Sequence, residues 1–163
     1  MSRQLSELES ILGQLIAEYR RLLSHIDKHE AAMKAFDLNA MDDARNLQEG
    51  TRLRIAGLEQ RRKLIVLQLA KAMGIPGEPT LRKLASLDPQ HNQPLTQIRT
   101  ELKALVEQIS ARTRVAAKLA SAVLGHLNTV VRLLAGAVER AGVYTKQGIP
   151  RVSTRIGVME AVG

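Results

Sequence analysis

The chain contains no cysteine and no tryptophan, and only one phenylalanine and two tyrosines. The missing thiols exclude disulfides, thiolate catalysis and cysteine-based zinc sites, and they suit a reducing compartment. So few aromatic rings argue against a sheet-rich fold, and they leave almost nothing on which unpaired bases could stack. Other absences narrow the chemistry further. No glycine-rich loop leads into Lys-Ser or Lys-Thr, so the usual phosphate cradle is missing. No serine sits in a nucleophile elbow, and no pair of carboxylates stands out. The first residues, MSRQLSELES, are polar and charged and carry no apolar targeting core, which leads to the expectation of a cytoplasmic protein. Nothing calls for a cofactor, and the expectation is a protein that is not an enzyme.

What is present is aliphatic. Hydrophobic residues make up 45% of the chain, mostly Leu, Ala, Val and Ile. With abundant Arg, Glu and Gln, this composition predicts an all-α protein whose core is built helix on helix. A length of 163 residues suits one domain with a real core. The net charge of +8 favours anionic partners. One modest basic cluster, Arg52, Arg54, Arg61, Arg62 and Lys63, makes a nucleic-acid-binding helical protein a disfavoured alternative, because electrostatics alone is unspecific.

The apolar positions define the elements. Leu5, Leu8, Leu12, Leu15, Tyr19, Leu22, Ile26, His29, Met33 and Phe36 step by three and four, a heptad seam that predicts a long first helix. Arg20, Arg21, Lys28, Glu30 and Lys34 form its solvated face. After AFDLNAMDD, capped by Asp37 or Asn39, a second stripe runs Met41, Ala44, Leu47, Thr51, Ile55, Leu58, Arg62, Ile65, Leu69, Ala72. The short connection predicts an antiparallel hairpin. Gly50 and Gly57 suggest close helix approach, and Gly74, Pro76, Gly77 and Pro79 end the second helix. TLRKLASLD reads as a short helix capped by Thr80. A last helix begins around Asn92 and Pro94. Its seam is Leu95, Ile98, Leu102, Leu105, Ile109, Arg112, Ala116, Leu119, Val123, His126, Val130, Leu133 and Ala137, running to about Arg140. The expected architecture is therefore a long antiparallel helical hairpin plus a long C-terminal helix, a coiled-coil-like bundle with a short connecting helix. Residues 1–141 form the bundle and 142–163 a flexible apolar tail.

Two features bear on function. His25 and His29, four residues apart on a helix beside Asp27 and Glu30, have the spacing of a divalent-metal pair, but the sequence lacks the metalloprotease pattern and His29 falls on the heptad seam. The expectation is no metal site. The second feature is the far end of the last helix. Beside its seam runs another stripe, Leu124, Leu127, Val131, Leu134 and Val138, and from Leu119 to Val138 the only full charge is Arg132. One stripe suffices to pack on the hairpin, so the other needs a further surface. The short helix or the tail could cover it. So could a second copy in a self-assembling coiled-coil homo-oligomer, or an amphipathic helix of a partner. A membrane span is disfavoured by Arg132, His126 and Asn128 within the stretch.

The order of elements resembles the FlgN-type flagellar export chaperones. The likeness lies in AAMKAFDLNAMDDA closing the first helix, then LEQRRKLIVLQLAKAMGI, TLRKLASLD and ISARTRVAAKLASAVLGHLNTVVRLLAGA, with VYTKQG in the tail. It implies a cytoplasmic, helical chaperone of type III secretion. Such a chaperone binds flagellar hook-associated (junction) proteins by their amphipathic terminal helices, with the export apparatus as a further candidate partner. The candidate partner-binding residues are Leu124, Leu127, Val131, Leu134 and Val138 on the helix, with Val143, Tyr144 and Ile149 from the tail.

Overall fold

The computed structural model describes residues 2–144, with side chains to Gly142, and contains four helices and no strand among them. They are α1 (Ser2–Lys34), α2 (Leu38–Ala72), α3 (Leu81–Ala85) and α4 (Pro89–Tyr144). The chain divides into two compact units, residues 1–120 and 121–163.

Local chemistry sets each boundary. At the end of α1, Phe36 adopts φ 54°. Its N–H donates to the Met33 carbonyl and the next N–H, of Asp37, donates to Ala32, the paired bonds of a Schellman cap. Asp37 then caps α2, its carboxylate accepting from Ala40 N–H at 3.0 Å. The same paired bonds recur at the end of α2, where Gly74 takes the left-handed position at φ 64° without a Cβ to strain it. Thr80 caps α3. The last helix starts earlier than the Asn92–Pro94 expectation. Pro89 occupies its first position, where a missing N–H costs nothing, and Asp88 accepts from Gln90 N–H at 3.0 Å. Pro94 lies inside the helix and only removes one early backbone bond.

Pairings across the first unit give its topology. Gln48 and Arg54 of α2 reach His25 and Glu18 of α1 in reverse order, so α1 and α2 are antiparallel, as expected. Glu9 meets His91, Arg20 meets Glu101 and Asp27 meets Arg112, so α1 and the first part of α4 run parallel. The core joins Leu5, Leu8, Leu12, Leu15, Leu22 and Ile26 of α1 to Ile55, Val66 and Leu69 of α2, Leu84 of α3 and Leu95 of α4. Because α1 has neighbours on two sides, it also buries Ile11 and Ile16, which lie beside the heptad seam.

That second neighbour covers one residue of the solvated face expected for α1, while Arg20, Arg21, Lys28 and Lys34 are exposed as expected. Glu30 is buried, holding Lys34 at 2.7 Å and Arg112 of α4 at 3.5 Å. Glu18 is buried too, between Arg21 at 2.5 Å and Arg54 at 3.0 Å, and Arg54 also donates to the fully buried Thr51 hydroxyl. The close helix approach expected at Gly50 and Gly57 does not occur. A Cβ on Gly57 would meet nothing within 4 Å, and one on Gly50 would meet only the Arg54 side chain.

Candidate partner-binding surface

The second unit begins within α4, at Ser121. Alanine, leucine and valine dominate it, with Gly125 and Gly136 tolerated because hydrogen bonding of the helix continues through them. Two of its polar side chains turn back on the helix. The Thr129 hydroxyl donates to the Gly125 carbonyl at 3.0 Å and Arg140 Nε to the Gly136 carbonyl at 3.1 Å.

Leu124, Val131, Leu134 and Val138 are 61–65% exposed and Leu127 is 37% exposed. At four-three spacing they lie along one side of the helix and form one continuous stripe. Across 121–142, Val123 is the one buried apolar residue. Exposure changes along the expected seam. Leu95 and Leu105 are buried and Ile98, Leu102, Ile109, Ala116 and Leu119 are half-buried, but His126, Val130, Leu133 and Ala137 are exposed. The heptad pattern alone could not locate this change, since the spacing is the same before and after Val123. Both stripes are open, and the apolar surface is broader than the sequence suggested. Of the tail candidates, Ile149 lies outside the described residues, as does all of the tail beyond Tyr144. Val143 and Tyr144 end α4, and nothing is described of their side chains.

The other sequence candidates are drawn into structural roles. The His29 ring lies 3.3 Å from the Gln48 amide, and the His25 carbonyl accepts from the same amide at 3.4 Å. Burial first, then the charges of Lys28 and Arg54, holds the His25 imidazole below its ordinary pKa. Among the described residues no group of three His, Asp or Glu side chains is placed to hold a metal ion. The basic cluster is divided: Arg54 serves Glu18, and Arg62 bridges Glu59 at 2.8 Å and Glu78 at 3.1 Å. A stretch of α4 is apolar and long enough to cross a membrane by length and composition alone, and 6% of it is buried.

The described residues define an all-helical protein whose segment 121–142 exposes nearly all of its apolar side chains. The chain is a member of the FlgN family, the flagellar type III export chaperones: the family model described as FlgN protein matches residues 1–151. Comparison with curated proteins gives no significant match, and comparison with solved structures gives none either.

Proposed function

We propose that this protein is a cytoplasmic, non-enzymatic chaperone that masks the amphipathic terminal helices of flagellar hook-associated proteins until they are exported. The observation that carries the reading is the exposure of Leu124, Leu127, Val131, Leu134 and Val138 along one side of α4. A client helix with a matching apolar stripe would bury both stripes at once. Covering ~600 Å² of apolar surface at ~25 cal/mol per Å² gives about 15 kcal/mol gross, most of it offset by association and ordering. Affinity between micromolar and nanomolar is reachable on that basis without a deep pocket, and such binding can be released at the export gate. Val143, Tyr144 and Ile149 extend the apolar run, and a tail that orders on the client would lower affinity and ease release.

The test replaces Leu127 and Leu134 together by Asp. Binding to a junction-protein C-terminal fragment should be lost while helix content persists, and unchanged affinity would reject the surface. Deleting residues 143–163 should weaken binding and leave thermal unfolding little changed; if the truncated chain unfolds, the tail is structural. The exposed stripe would also fit a second copy of this chain. Light scattering separates the two readings, since a concentration-independent monomer that binds client excludes the self-assembled form.

A further inference from the structure

The outer side of α2 carries a stripe that the core does not use. About 100° of rotation per residue places Thr51, Ile55, Ile65, Val66 and Leu69, all buried, on one side of α2. Leu53, Leu64 and Leu67 fall on the opposite side, each more than half exposed. The row Leu53, Gly57, Gln60, Leu64, Leu67 advances by four, three, four and three residues, the spacing of a helix-packing seam. Gly57 sits open in that row, with nothing within 4 Å of where a Cβ would be, and leaves a shallow dip between Leu53 and Leu64. Charge borders the seam on both sides. Arg52 and Lys63 flank one edge and Arg61 the other, by the same rotation. Unlike Arg54 and Arg62, these three make no hydrogen bond or ion pair among the described residues.

We infer that this face of α2 docks an acidic amphipathic helix of a partner protein, whose apolar stripe packs on Leu53, Leu64 and Leu67 while its flanking carboxylates meet Arg52, Arg61 and Lys63. A narrow leucine row between two basic edges is the complement of a helix with a narrow apolar row between two acidic edges. Two other anionic partners fit less well. A bilayer-seeking helix needs a wide apolar face, with aromatics at its margin, whereas α2 contains no aromatic residue and has Gln60 in mid-row. A nucleic acid would pair with the basic edges but leave the leucines in water. The surface lies wholly on α2 and shares no residue with the α4 stripe assigned to the client, so it stands or falls independently of that assignment.

The test uses the full chain and a designed helical peptide of about four heptads, with Leu on the seam and Glu on both flanks. Its own carboxylates keep it from self-pairing at neutral pH. Titration followed by anisotropy should show saturable binding that weakens with salt. Leu53→Ala and Leu64→Ala, benign on an exposed helix face, should each weaken it about tenfold. Arg52→Glu combined with Lys63→Glu should weaken it at least as much, and a peptide with Lys for Glu should not bind. Leu127→Asp with Leu134→Asp should leave this affinity unchanged. Absence of binding overturns the inference. So does binding that ignores the two leucine substitutions, or equal binding to anionic vesicles or single-stranded DNA, because each marks a merely basic surface. Loss of binding on changing Leu127 and Leu134 would place the peptide on α4 and overturn it as well.

Discussion

Leu12 and Leu134 offer a matched experiment. Both are helical leucines, but Leu12 is 1% exposed in the core of the first unit and Leu134 is 61% exposed on α4. Truncating each to Ala removes the same atoms. At Leu12 the loss includes the transfer energy of the buried atoms and the cavity left among Leu8, Leu15 and their neighbours, together about 3–5 kcal/mol. At Leu134 no cavity forms and Ala is at least as good a helix former, so the change should lie within about 0.5 kcal/mol of zero. With a urea slope of about 2 kcal/mol per molar, Leu12→Ala should lower the midpoint by about 1.5–2.5 M and Leu134→Ala should leave it in place. Urea titration followed by helix ellipticity measures both, since no tryptophan is present as a reporter. Client binding should show the opposite order. A leucine this exposed, once covered by a partner, loses about 1–2 kcal/mol on truncation, so Leu134→Ala should bind roughly 5- to 30-fold more weakly. Leu12→Ala, measured where it is folded, should bind normally. If Leu134→Ala lowers the midpoint as far as Leu12→Ala, the stripe is sealed inside the folded protein in solution and the masking argument fails.

Replacing Asp37 by Ala removes the carboxylate that caps α2 and should cost about 1 kcal/mol in the same titration. Glu18→Gln keeps the volume but not the charge that two arginines share, and should cost about 1–2 kcal/mol, discounted because both guanidinium groups are half in water. Acid should destabilise the fold in two stages. His25 has a folded pKa below its ordinary 6.5, chiefly through burial, so the unfolded chain takes up a proton first and stability falls as pH drops below 6.5. Glu30 is held below its ordinary 4.5, chiefly by the hydrogen bond from Lys34, so its contribution is complete above 4.5 and is lost as pH falls further. His25→Gln should abolish the upper stage in thermal melts across that range, and a melt that is flat between neutral pH and 5.5 in the parent protein would refute the assignment.

Much of this molecule could be read from residue order because its determinants are local. The four-three stepping of Leu5 to Met33 fixes a helix and its inner face, and most of those positions are buried. Asp37, Gly74 and Thr80 act within a few residues of themselves, so the ends they cap were legible as well. The FlgN family membership follows from the same linear pattern of leucine, arginine and glycine.

Tertiary structure decided whatever depends on neighbours distant in the chain. Glu18 and Glu30 look like surface charges in sequence and become buried only because Arg54 and Arg112 arrive from two other helices. Leu47 falls on the stripe read as the inner face of α2 yet is 47% exposed, whereas Leu53 and Leu64 lie off that stripe and are exposed on the side of α2 opposite α1. The seam of α4 keeps one spacing throughout, yet it passes from covered to open after Val123. Periodicity states which residues share a face of a helix; only packing states whether that face meets protein or water.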